Sequence, residues 1–149
     1  MAEPRLVLDE FLPFRLSVTS NLVSGLIARA YQSLFGLSIP EWRLVTVIAE
    51  GGATTQQAIG ARTRMDKVTV SRAAIALVER GLLARQANRD DRRSHLLDLT
   101  GAGRDLYAAV APKALDLEAQ IFAHFDPAEV AQFTDMLHRI ENVARDYEI

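Results

Sequence analysis

Apolar residues recur at helical spacing along most of this chain, and at strand spacing in one short stretch. From residue 8 to 35, Leu12, Leu16, Leu22 or Val23, Leu26, Ala30 and Leu34 return every three or four positions, which predicts a long first helix over 8–35. Pro13 falls near its start, where a missing amide hydrogen costs little, and Gly36 stops it. Ser38 and Glu41 form a capping box with Pro40 in the first turn, predicting a helix over 39–50 that ends at Gly51 and Gly52. Thr54 and Gln57 suggest another box, with the next helix starting at about Thr55 and running through Ala58 and Ile59 to a turn at 60–63. A further helix opens near Met65 or Asp66. Its apolar positions Val70, Ala73, Ala74 and Leu77 define a buried face, and Lys67, Thr69, Ser71 and Arg72 face outward. Gly81 suits the left-handed position that closes this helix.

After Gly81 the period changes. Leu82, Leu83 and Ala84, a turn-rich run over 88–93, and then His95 to Leu99 read as a β-hairpin with a hydrophilic tip. Thr100 caps a helix over 101–124 that carries Leu106, Val110, Ala114, Leu117 and Ile121 on one face and contains Pro112, which must remove a backbone hydrogen bond or bend the helix. Asp126, Pro127 and Glu129 start a last helix, along which Val130, Phe133, Leu137, Ile140 and Ala144 keep a three-four spacing. Helix, turn, helix and hairpin in this order describe a winged helix-turn-helix, mainly α with a small β wing. The terminal helices are too apolar for one small lobe to cover. They predict pairing with a second copy, and folding back onto their own lobe is the competing reading.

Composition narrows the function classes. At 149 residues, with 49% hydrophobic and 24% charged residues, the chain has the size and balance of one globular domain. The expected organisation is a single domain over 1–149, with a lobe over 38–100 and pairing helices over 8–36 and 101–147. The absence of cysteine excludes disulfides, thiolate metal sites and thiol redox sensing. The N-terminus lacks the apolar core of a signal peptide and no run reaches the length of a membrane span, so a cytoplasmic protein is expected. The formal net charge of −2 is unevenly distributed. Residues 62–93 hold nine basic against four acidic side chains, a local charge of +5, which leaves −7 on the remainder. Coincidence of that basic stretch with the helix-turn-helix and hairpin points to duplex DNA.

The segment from Gly81 to Gly103 carries a family resemblance. Gly81, Leu82, Leu83 and Arg85, then Asp91 and Arg93, then Leu99, Thr100 and Gly103 match the wing signature of the MarR family of bacterial transcription regulators, and the resemblance extends over nearly the whole chain. It implies a homodimeric, ligand-responsive regulator, read as a repressor, whose recognition helices enter the major groove of a pseudo-palindromic operator. Lys67, Val68, Thr69, Ser71 and Arg72 are the candidate readers of bases and phosphates, with Thr55, Gln56 and Gln57 positioning the backbone. Arg89, Asp91, Arg92 and Arg93 form the candidate wing tip, where the resemblance implies that Arg93 enters the minor groove and Asp91 holds the tip in shape. Ile75 and Val78 depart from the family, in which those recognition-helix positions are usually polar, and are expected to pack under a neighbouring segment.

The resemblance also implies a small aromatic carboxylate or phenolic effector. Arg15, Trp42 and Arg43 are the candidate ligand residues, offering a stacking face and carboxylate partners. In the competing reading Trp42 is core and the arginines pair with Glu10, Glu41 or the partner subunit. An enzyme is not expected. His95, His124 and His138 lack metal-ligand spacing with a carboxylate, and no catalytic triad, phosphate loop or carboxylate pair is present; no cofactor is predicted. The alternative function is a winged helix that binds only another protein. The arginines at the wing tip argue against it.

Overall fold

The computed structural model describes residues 3–148; residues 1, 2 and 149, the ends of the expected 1–149 domain, lie outside them. Six helices and one two-stranded antiparallel sheet follow each other in the order α1 (Leu12–Phe35), α2 (Ile39–Gly51), α3 (Gln56–Thr63), α4 (Lys67–Glu79), β1 (Leu83–Ala87), β2 (His95–Leu99), α5 (Gly101–Phe122) and α6 (Pro127–Asp146). The chain divides into a first unit ending at Ala114 and a second beginning at Leu115. No single helix among the described residues is long and apolar enough to cross a membrane.

In the first unit the core is built from α2 and α4, with α3 and the hairpin closing it. Leu44, Val45 and Ile48 of α2, Ile59 of α3 and Val70, Ala74 and Leu77 of α4 are all buried, together with Leu83 and Leu97 from the two strands. Each Leu, Ile or Val among them contributes about 1.5–3 kcal/mol on leaving water, before conformational entropy is counted. The buried stripe of α4 is the one the periodicity predicts. Ile75 differs from expectation, for it is 45% exposed and no segment covers it. It lies on the opposite side of the helix from Ala73, Ala74 and Leu77, so burying it would require α4 to be covered on both faces.

Three boundaries also differ. The first helix starts at Leu12 rather than residue 8, and residues Leu8–Glu10 form a separate 3-10 turn ended by the extended Phe11. Continuing the helix through that point would set the Pro13 ring against the carbonyl of Asp9 and lose a hydrogen bond. The cap of α3 is Thr55, whose hydroxyl accepts from the Ala58 amide at 3.1 Å, rather than Thr54. Thr54 is otherwise occupied, since its amide and carbonyl both bond Leu97 of β2, at 3.1 and 2.7 Å. Gly60 is inside α3 and not in the turn. A Cβ there would lie 3.4 Å from the Met65 carbonyl oxygen, an ordinary contact, and Arg64 takes the turn at φ 61°.

The hairpin pairs Leu83 with Leu99, Arg85 with Leu97 and Ala87 with His95. Its base is fastened to the start of α5. Thr100 donates from its hydroxyl to the Gly81 carbonyl at 2.6 Å and accepts from the Gly103 amide at 3.1 Å, and its own amide donates to the Leu82 carbonyl. Gly103 explains its place in the wing signature, because a Cβ there would sit 2.2 Å from the Leu82 carbonyl oxygen. Pro112 is tolerated within α5.

In the second unit, α6 follows Asp126, whose amide donates to the Glu129 carboxylate at 3.0 Å. No residue of α6 is buried. Phe133, Met136, Leu137, Ile140 and Val143 remain exposed, and at 100° per residue they form one continuous apolar stripe.

Candidate nucleic-acid interface

The outward side of α4 is set by its N-cap. Asp66 accepts from the Thr69 amide at 2.8 Å through one carboxylate oxygen and from the Thr69 hydroxyl at 3.0 Å through the other. These Thr69 bonds, backbone first, hold the Asp66 carboxyl below its ordinary value, as expected for an anion at a helix N-terminus. Of the predicted readers, Lys67, Val68 and Arg72 are exposed, whereas Thr69 and Ser71 are half-buried. The Thr69 hydroxyl hydrogen is committed to the cap, which leaves its methyl group and lone pairs for an incoming ligand. Gln56 and Lys67 meet at a concavity of about 470 Å³ between α3 and α4, floored by Gly60 and Val70.

The wing tip is a self-bonded turn. The Asn88 side chain accepts from the Asp90 amide at 3.1 Å and donates to the Ser94 hydroxyl at 3.0 Å, and Asp91 accepts from the Arg93 amide at 3.0 Å. Short polar side chains bonding the backbone two residues on are the usual way to fold such a loop. Arg89, Arg92 and Arg93 point outward from it, and the Arg93 side chain is 97% exposed. The Arg93 Nε lies 3.9 Å from Asp91, beyond hydrogen-bond reach, so Asp91 shapes the tip through the Arg93 backbone rather than by gripping its guanidinium.

Not every arginine of the basic stretch is available to a partner. Arg62 pairs with Glu50 of α2. Arg80 donates to the Phe35 and Gly36 carbonyls, at 2.5 and 3.4 Å, and so ties the end of α4 to the end of α1. Sequence clustering counts both with the reading head; contacts far apart in sequence give them other partners. At the wing base Arg104 bonds the Leu99 carbonyl at 3.1 Å and lies 3.6 Å from Asp98.

The candidate ligand residues are not brought together within one chain. Trp42 is buried and stacked by Tyr31 at 5.3 Å and by Tyr107 at 5.8 Å between ring centres, so the indole is packed from within the chain. Arg43 is exposed beside this stack, and its charge opposes the burial that raises the Tyr31 phenol above its ordinary pKa. Arg15 is also exposed, but it lies sixteen residues before Tyr31 on the same helix α1, about 24 Å along the axis. A ligand one ring in size cannot touch both. Glu41 is engaged with the Ser38 amide at 2.8 Å, as the capping box predicts. Neither tyrosine of the stack was singled out from the sequence, because only the packing of α1, α2 and α5 shows that the three rings meet. Among the described residues no group of three or more metal-ligating side chains occurs.

Comparison with known proteins gives a consistent picture. A model of the MarR family matches residues 35–94. An uncharacterized protein of Mycobacterium tuberculosis is 30% identical over 121 residues, spanning 79% of this chain and 84% of its own length. Among solved structures, a MarR/EmrR family transcriptional regulator from Acinetobacter sp. ADP1 is 25% identical with a TM-score of 0.86, covering 95% of this chain and 99% of that one. Two more distant structures share the fold. One is a MarR family regulator from Streptomyces coelicolor in complex with DNA, at 21% identity and a TM-score of 0.81, over 93% of this chain and 90% of that one. The other is BpsR of Bordetella bronchiseptica, whose DNA binding is regulated by 6-hydroxynicotinic acid, at 22% and 0.83, over 93% of this chain and 98% of that one.

Proposed function

The chain belongs to the MarR family of transcriptional regulators, and on that premise we propose that it is a homodimeric, effector-responsive repressor of a pseudo-palindromic operator. The observation that carries this reading is the joint exposure of Lys67, Val68 and Arg72 on α4 and of Arg89, Arg92 and Arg93 on the wing tip. The helix fits a major groove, where cations and apolar groups read base edges, and the wing arginines suit phosphates and the adjacent minor groove. Thr69, Ser71, Thr55 and Gln56 fill secondary positioning roles. The protein would place one recognition helix in each half-site; a regulator of the same fold from Streptomyces coelicolor is solved in complex with DNA.

Dimerisation is supported by the uncovered stripe of α6 and by Leu12 and Leu16 near the start of α1, all exposed in a single chain. Apolar surfaces of this extent are usually covered by a partner, and a second copy covers them symmetrically. Effector control is supported by BpsR, which responds to 6-hydroxynicotinic acid. Arg43, whose charge acts on the Tyr31 phenol, suits a carboxylate on an aromatic ring, and Arg15 joins such a site only if the second subunit supplies it. The experiment that tests the reading is a titration of labelled duplex at several salt concentrations. Contact with phosphates requires a slope of about −0.9 per phosphate on a log-log plot. A protein-interaction module would bind no duplex at any salt concentration.

A further inference from the structure

The recognition helix carries an apolar feature that the folding of this chain does not explain. Val68, Arg72, Ile75 and Glu79 fall within about 60° of one another around α4 at 100° per residue, diametrically opposite the buried stripe. Val68 is 57% exposed and Ile75 45%. Helix formation does not favour them at such positions, because β-branched residues are poorer helix formers than the Ala, Lys, Gln or Glu usual on a helix surface. What covers the stripe follows from the charges around it. Glu79 ends the stripe with one negative charge, but Lys67 and Arg72 are exposed on the same helix and Arg89, Arg92 and Arg93 on the wing, and these five cations complement a polyanion. The stripe is one helix wide, the width a major groove of about 12 Å admits. Within that groove the apolar group on offer is the 5-methyl of thymine.

We infer that Ile75, together with Val68, reads thymine methyl groups, which makes Ile75 a specificity-determining residue of the operator interface. The inference rests on the DNA-binding reading above. The two side chains are seven residues apart, about 10.5 Å along the helix, which matches about three base-pair steps of 3.4 Å. Each half-site therefore carries two methyl-sensitive positions about three base pairs apart. Arg72 lies between them and reaches guanine or a phosphate.

The test replaces thymine by deoxyuridine, which removes the methyl and keeps the pairing edge and the O4 acceptor. A duplex selected from a random pool by the full-length protein is substituted one position at a time, and affinity is measured by anisotropy at a fixed salt concentration. The wild type loses about fourfold per half-site at the two positions, the equivalent of one buried methyl. Ile75→Ala abolishes the loss at one position only, and Val68→Ala at the other. Ile75→Val keeps part of the sensitivity. Because Ile75 is exposed and Ala is the better helix former, Ile75→Ala unfolds no lower than wild type and keeps the wild-type salt slope. Indifference of the wild type to every deoxyuridine, or undiminished sensitivity in Ile75→Ala at every position, overturns the inference while salt-dependent binding leaves the DNA reading standing. Absence of salt-dependent binding overturns both.

Discussion

Replacing Asp91 separates two physical effects that have opposite signs. Asp91 brings a negative charge to the tip that is to approach phosphates, so on charge alone its loss tightens DNA binding. At about 10 Å in water that repulsion amounts to roughly 0.4 kcal/mol, and salt reduces it further. Against it stands the bond from the Arg93 amide to Asp91 at 3.0 Å, which folds the turn that projects Arg93. Such a bond contributes about 0.5–1.5 kcal/mol, so the conformational effect exceeds the electrostatic one. The net of about 0.1–1.1 kcal/mol means that Asp91→Ala is expected to weaken operator binding by up to about sixfold, although it makes the wing more basic. Asp91→Asn keeps the acceptor and removes the charge, and should bind within about twofold of wild type or slightly tighter. Fluorescence anisotropy at one salt concentration, with both variants and wild type on the same duplex, measures the three constants. Binding by Asp91→Ala equal to or tighter than wild type would refute the structural role of Asp91.

Four further outcomes are expected. Arg93→Ala, which removes a guanidinium 97% exposed in the free protein, should weaken binding and flatten its dependence on A·T-rich flanks, measured on duplexes that differ only there. Gly103→Ala forces a methyl against the Leu82 carbonyl; a cost of about 1–3 kcal/mol should lower the melting temperature by several degrees in calorimetry, and an unchanged value would contradict the close packing. Light scattering should give about twice the 16.5 kDa chain mass, with Phe133→Glu combined with Ile140→Glu reducing it to one, while footprints show half-sites about 10 to 10.5 base pairs apart or a multiple. Asp66 has a lowered pKa in the folded protein, so its contribution to α4 is present above its unfolded value of 3.8 and is lost as pH falls from there through the lower folded value. Acid titration followed by circular dichroism should show that loss in wild type and less of it in Asp66→Asn, which retains a capping oxygen at all pH values.

Much of this protein follows from patterns that act over a few residues. Ser38 with Glu41, Asp66 with Thr69 and Gly81 in its left-handed conformation are local events, and local events are written in consecutive residues. The buried stripe of α4 was legible for the same reason, since a helix has one period and the core takes one face of it. The wing was legible because some of its signature residues meet a steric or hydrogen-bonding demand, as Gly103 does against Leu82 and Thr100 does with Gly81. What sequence order could not decide depends on partners far along the chain. Thr54 has the composition of a cap, yet β2 claims its backbone, so Thr55 becomes the cap instead. Arg62 and Arg80 belong to the basic stretch by position, but Glu50 and the end of α1 hold them. Trp42 was legible as an aromatic residue, and only the packing of three helices showed that two tyrosines stack on it. Ile75, apolar by composition and outward by geometry, was assigned its environment by the tertiary structure alone: a helix with its opposite face already buried has no second core to offer.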